Sequence, residues 1–340
     1  MQRHCEVAPE AAVVPTFSLM EFVLTNVLQG LVALVWVSGL QRVAGPLSAA
    51  FRAASLEMVL VVPLFASVAR LFFGTQMQPE SALVRVQAWL ARMLNSEAFL
   101  AAFVVLVAGS ALIFLLQEAI PVWKRARALP RGEAFRDQRL EQALERVIAG
   151  FQGYRRWRGR VPYVFRLESS ESIASLHGIL TPRILISSAL MSKLDDQELD
   201  AVLAHELAHV AFGGNPRTIL LWAVRAIQVL NPAALIAFRG ILELRERACD
   251  ELAAAVTGRP AALASALLKV QERGAVQKGA RAFQRARAEV SRKIAIETTR
   301  GRVRALLDTP VEELRSSASR SRFPRLATFI MMLLILWGIR

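Results

Sequence analysis

The sequence predicts an α-helical membrane protein that carries an α+β domain on the cytoplasmic side. Three observations predict it. Apolar residues make up 54% of the 340 positions, above the usual share for soluble domains, and they gather into long charge-free runs. Between these runs, residues 123–323 mix short β-branched stretches with amphipathic helical patterns. The net charge of +14 calls for an anionic neighbour, nucleic acid or an acidic membrane face. Such apolar content excludes disorder as the main state. Two cysteines, Cys5 and Cys249, exclude a disulfide scaffold.

Residues 1–122 read as a membrane region with three transmembrane helices. The first run is charge-free from Phe22 to Leu40, long enough to cross a hydrocarbon core of ~30 Å. Acidic residues Glu6, Glu10 and Glu21 precede it, so it lacks the basic start of a cleaved signal peptide and reads as retained. The second spans Ala53–Phe73 around the charge-free Met58–Ala69, with Pro63 inside, which transmembrane helices tolerate. The third runs from Leu100 to Gln117 and on to Val122, with Glu118 its one charge. Leu326–Ile339, between Arg325 and Arg340, is the fourth run, within a C-terminal transmembrane helix over 324–340. Lys124, Arg125, Arg127, Arg131, Arg136 and Arg139 follow the third run, whereas Arg85 and Arg92 are the basic residues of 74–96. The positive-inside rule therefore places the middle domain in the cytoplasm and the N-terminus outside. Cys5 and Cys249 then face opposite sides and do not pair. Ala82, Leu83, Val86, Leu90, Met93 and Leu94 have helical spacing, for the outer membrane surface or for packing on the spans.

Within 123–323, Glu133–Arg158 reads as a charged helix with Leu140, Ala143, Leu144, Val147, Ile148 and Phe151 on one face. Arg155, Arg156, Arg158 and Arg160 follow it. No nucleic-acid recognition motif accompanies them, and anionic lipid explains them. Val161–Leu167, Ile173–Leu176 and Arg183–Ile186 read as strands. Asp195 or Asp196 then caps a new helix. Farther on, Ile219–Leu230 and Ala233–Leu244 are apolar but too short to span, and read as helices near the membrane or in the core. Gln277–Asp308 is strongly basic, a segment expected to pack on the domain and face anionic lipid.

The helix opened at Asp195 contains His205-Glu206-Leu207-Ala208-His209. Residues four apart lie on one helix face, so both imidazoles can reach one zinc ion (Zn2+). Glu206 lies beside that line, where it can take a proton from metal-bound water and return it to a leaving amine. The third ligand falls to Glu246 in Glu246-Arg247-Ala248-Cys249-Asp250, giving two histidines, one glutamate and an open position, the catalytic arrangement. Asp250, one turn on from Glu246, would hold a ligand imidazole in its tautomer. Cys249 reads as a buried thiol. His177 reads as a local hydrogen-bonding residue, or as a contact to a peptide added at a strand edge.

His205–His209, then Asn231-Pro232, then Arg245–Glu251 resemble the M56 peptidases, the membrane metalloproteases of the BlaR1/MecR1 antirepressor type. Pro182–Ser187 and Glu198–Ala204 resemble them as well. The resemblance implies a cytoplasmic, gluzincin-like α+β zinc metalloprotease domain at 123–323, in a multi-pass protein of the bacterial inner membrane. It implies zinc on His205, His209 and Glu246, and cleavage of a cytoplasmic protein: a transcriptional repressor in a signalling pathway, or the chain itself. Direct nucleic-acid binding is not expected. Two departures stand out. Gly214, followed by Asn215, occupies a position where family members often carry an aspartate. The chain also ends at Arg340, so no extracellular penicillin-binding sensor is expected. Signals would then arrive through the spans, the outer loops, a sensor partner or a homo-oligomer. The rival readings are a quality-control membrane protease of the M48 type and a signalling scaffold without proteolysis.

Overall fold

The computed structural model describes residues 19–43, 47–73, 96–116, 134–152, 161–271 and 282–319, together with Trp89, Ile120 and Ile330. The fourth apolar run apart from Ile330, the helical pattern over 82–94 apart from Trp89, and the basic residues 124–131 and 155–160 lie outside them. Three helices come first: α1 (Leu19–Val43), α2 (Ala49–Phe73, with Pro63 inside) and α3 (Glu97–Phe114). Two helices among the described residues are long and apolar enough to cross a membrane, α2 over Ala49–Val68 and α3 over its whole length.

The expected charged helix over Glu133–Arg158 is shorter. Asp137, in extended conformation, accepts from the N–H groups of Arg139 and Leu140 and starts α4 at Gln138–Phe151. This cap blocks growth towards the N-terminus, and Ala134–Phe135 instead form strand β1. The apolar face is as the spacing predicts: Leu140, Ala143, Leu144, Val147 and Phe151 are buried. Strands β2 (Tyr163–Leu167), β3 (Ala174–His177) and β4 (Arg183–Ser187) complete a sheet in the order β1-β2-β4-β3. The β2–β4 pair is parallel, while β1 and β3 are antiparallel to their neighbours. Strand β3 is therefore an edge. Its turn into β4 needs Gly178, with φ of 85°, since a Cβ there would sit 2.2 Å from the carbonyl oxygen of Thr181.

A short turn of helix, α5 (Ser188–Met191), leads into α6 (Asp196–Ala211). Asp195 caps α6 and forms a capping box with Glu198, satisfying two otherwise orphaned N–H groups. Glu198 also accepts from Ser265 Oγ and Lys269 Nζ, both at 2.6 Å. Arg146 of α4 pairs with Asp200 at 2.7 Å. These contacts fix the start of α6. Its middle, Leu199 to Ala208, is buried throughout.

After α6 come α7 (Gly214–Ile227), α8 (Pro232–Thr257), α9 (Pro260–Gln271), α10 (Ala282–Asp308) and α11 (Val311–Ser319). The apolar Ala233–Leu244 and the segment carrying Glu246 are one continuous helix. Asn231 caps it by accepting from Ala233 and Ala234, Pro232 opens it, and Gly258 closes it at φ 66°, as proline at the start and glycine past the end favour. Helix α8 belongs to two cores. Ala234, Ala237, Phe238 and Ile241 pack with α1 and α2, and Cys249, Leu252 and Ala253 pack with α4, α6 and β4.

Glu251 of α8 faces the first turn of α2, where Ala49 N–H donates to its carboxylate at 3.3 Å. Burial, helped by the neighbouring Asp250 carboxylate, pushes Glu251 up from 4.5 to about 7. The folded chain thus holds a proton that the unfolded chain releases, and this contribution to stability is lost as pH rises from about 4.5 to about 7. We expect the melting temperature of Glu251→Gln relative to wild type to rise across that window. A difference independent of pH between those limits would contradict the assignment.

Candidate metal centre

Helices α6 and α8 bring the motif residues together. His205 and His209 are one turn apart on α6, and their Nε2 atoms lie 3.2 Å apart. Glu246 reaches across from α8, with carboxylate oxygens 3.7 Å from His205 Nε2 and 3.6 Å from His209 Nε2. The two imidazole nitrogens and the Glu246 carboxylate thus form a triangle, Oε2 being the oxygen near His205 and Oε1 the one near His209. Ligands held tetrahedrally at 2.0–2.2 Å from zinc stand about 3.4 Å apart. The donor set and its spacing fit such an ion.

The surroundings set the protonation states. Asp250 Oδ1 stands 3.0 Å from His205 Nδ1. Burial alone would lower His205, but the Asp250 carboxylate outweighs it and raises the imidazole. His209 has no such carboxylate, and burial together with His205 drives it down to about 4, so it is neutral at pH 7. Its Nδ1 instead lies 3.4 Å from Cys249 Sγ. The fully buried Cys249 is pushed well above the usual thiol range, first by burial and then by Glu246, so it remains a thiol. Glu206 is buried beside the triangle and raised by that burial, while the backbone of Leu176 on β3 hydrogen-bonds to it.

Sequence reasoning assigned no role here to Arg302. Its basic segment is expected both to pack on the domain and to face lipid, and Arg302 belongs to the part that packs on the domain. From α10 it turns inward, only 14% of its side chain exposed. Its Nε and Nη2 donate to the two oxygens of Asp250 at 2.6 and 2.7 Å, and Nη1 lies 3.3 Å from Glu246. Burial opposes its charge, yet the bond to Asp250 raises it further. Arg302 also holds Asp250 below the usual carboxylate range, against the effect of burial. The available signal was indirect: the acids Glu246 and Asp250 stand one turn apart on α8, and the buried Asp250 demands a cation. Nothing in the run of basic residues singles out Arg302.

The departure at Gly214-Asn215 also has a structural answer. Gly213 and Gly214 both take positive φ, 96° and 56°, and turn the chain from α6 into α7. Asn215 Nδ2 then donates to the carbonyls of Leu176 at 3.2 Å and Gly178 at 2.9 Å. It clamps the sheet edge above Glu206. His177 keeps a local contact, with Nε2 2.9 Å from Ser175 Oγ.

Removing Asp250 would free the His205 ring and strand Arg302. Loss of such a partner commonly costs about 10–100-fold in metal affinity. We expect Asp250→Ala to weaken zinc binding by about that factor in chelator competition; an unchanged affinity would contradict the role.

The chain is similar in sequence to known peptidases. A family model described as BlaR1 peptidase M56 matches residues 24–296. Protease HtpX homolog 1 of Streptomyces coelicolor is 30% identical over 120 residues, covering 26% of this chain and 40% of that protein. Protease HtpX homolog 2 of Methanosarcina mazei is 34% identical over 121 residues, with the same coverage. The chain thus spans about 40% of the length of the curated relatives it matches. Among solved structures, S. mikatae Ste24p is 17% identical over 79% of this chain and 66% of its own, with a TM-score of 0.25.

Proposed function

The chain belongs to the BlaR1-type M56 peptidase family, and from that premise we propose that it is a membrane-bound zinc endopeptidase that hydrolyses a peptide bond of a cytoplasmic protein. The observation that carries the reading is the triangle of His205, His209 and Glu246 donors, all within 4.8 Å of one another, with Glu206 beside it. A zinc ion bound there would polarise the scissile carbonyl and lower the pKa of a water to about 7.

The chain's own residues do the rest. His209 presents a neutral nitrogen, and each ring is held from behind, His205 by Asp250 and His209 by Cys249. Glu206 acts as general base towards the attacking water and as general acid towards the leaving amine. Its raised pKa suits it to both steps. The Leu176 backbone aims its carboxylate, and Asn215 holds Leu176 in place. Arg302 is a positioning residue, locking the Asp250 carboxylate that orients His205.

In this reading residues 1–122 are the membrane region, 123–323 the protease domain on the cytoplasmic side, and 324–340 a last span. The substrate is a repressor in a signalling pathway or the chain itself. The experiment is a mass-spectrometric search for new protein termini in host cells, comparing wild type with Glu206→Gln. Termini found only with wild type, on one or a few proteins, are the expected result and name the substrate. Termini scattered over many unrelated membrane proteins would favour quality control instead. An identical set in both strains would overturn the role of Glu206.

A further inference from the structure

Helix α7 buries one face and leaves a second, apolar face outward. Leu221 and Arg225 face inward and are buried. Pro216, Ile219, Leu220, Ala223 and Ile227 recur at steps of three and four residues, and all are exposed. Leu220 and Ile227 are each 63% exposed, and Ile236 at the start of α8 is 56% exposed. This outward stripe contains no polar side chain, which is costly in water.

The segment joining α7 to α8 touches all three N-terminal helices. Gln228 Nε2 donates to the carbonyl of Leu60 in α2 at 2.7 Å. Ser110 Oγ of α3 donates to Val229 O at 2.7 Å. Asn231 Nδ2 donates to Asn26 Oδ1 of α1 at 2.7 Å. Each partner lies inside an apolar stretch rather than at a helix end. Farther along α8, a Cβ on Gly240 would stand 2.6 Å from Leu56, and Glu251 meets Ala49 at the first residue of α2. Helix α8 therefore runs beside α2 from the level of Leu60 to that of Ala49. At 1.5 Å per residue this is about 16 Å, roughly half of a ~30 Å hydrocarbon core.

The connecting turn is built for such a depth. Arg225 Nη1 donates to Gln228 O at 2.8 Å, and its guanidinium lies 5.3 Å from the centre of the Phe114 ring. Asn231 N–H donates to Gln228 O, and the Asn231 side chain caps α8. Irregular backbone is tolerated at membrane depth where protein covers it and satisfies its polar groups. The turn meets that condition, and the side chains exposed nearest it, Ala223, Ile227 and Ile236, are apolar, whereas the exposed Arg239 and Glu243 lie farther along α8 towards the level of Ala49.

We infer that α7 and the first half of α8 form a re-entrant hairpin, inserted about half-way into the bilayer, whose outward stripe is covered by lipid acyl chains. The inference rests on the membrane reading of α2 and α3 above. It places Asp250 and Glu246, near the level of Ala49, at the membrane surface, so the scissile bond is taken at headgroup level.

The test uses the full chain in phosphatidylcholine–phosphatidylglycerol vesicles, in a Cys5→Ser background that keeps the fully buried Cys249. Nitroxides are placed on single cysteines replacing Leu220, Ile227 or Ile236. Val105 on α3, 70% exposed, serves as the lipid control, and Gln142, exposed on α4, as the aqueous one. Collisions with oxygen and with a water-soluble nickel chelate are measured by electron paramagnetic resonance. The expected result is that oxygen collisions dominate at all three sites as at Val105, with Ile227 deeper than Leu220. Nickel collisions dominating at the three sites, with Val105 still in lipid, would overturn the hairpin alone. Low collisions with both reagents and dipolar broadening would mean a second copy covers the stripe, and would overturn lipid as its occupant. Nickel collisions at Val105 as well would overturn the membrane reading together with the hairpin.

Discussion

Helix α8 is packed into two hydrophobic cores at once, and the geometry of the centre depends on that. Its first half is bound by α1 and α2 through Ala234, Ala237, Phe238 and Ile241. Its second half is bound by α4 and α6 through Cys249, Leu252 and Ala253. Glu246 falls between the two. A rigid helix anchored at both ends fixes Glu246 opposite His205 and His209 more closely than a loop would. The same continuity ties the membrane-type helices to the site, because a shift of α2 must be borne by α8 at Gly240 or at Glu251.

Around this scaffold the charges are unusually concentrated. Glu206, Asp250 and Arg302 are largely removed from water, where an unpaired charge is costly. The arrangement resolves this by role. Asp250 and Arg302 ionise together through two short bonds. Glu206 takes the opposite course, its pKa raised by burial, as the proposed role of accepting and returning a proton requires. His209 stays neutral because no carboxylate stands behind it as Asp250 stands behind His205. The two imidazoles of one motif thus have different electrostatic environments.

Much of this was legible in the sequence because it follows from local rules. The i, i+4 spacing of His205 and His209 and of Glu246 and Asp250 needs only the helical period. The cap at Asp195 and the three strands between residues 161 and 187 follow from capping and turn chemistry. What escaped depends on tertiary contact. Arg302 is one arginine among many along α10, and only the fold turns it towards Asp250. The extended backbone before the Asp137 cap ended a helix that charge periodicity had lengthened. The continuity of α8 through residues 244–246 was hidden by its change of partners, apolar helices before and a polar site after. Asn215 was visible only as the residue after Gly214, which stands at the family's aspartate position, and its clamp on Leu176 and Gly178 required the sheet edge.

The proposed activity requires one metal ion held by three side chains, with Glu206 left free for proton transfer. Elemental analysis of the purified full-length protein and two variants tests this most directly. One zinc per chain is predicted in wild type and in Glu206→Gln, with sharp loss in Glu246→Ala. Full zinc in Glu246→Ala, or loss of zinc in Glu206→Gln, would contradict it.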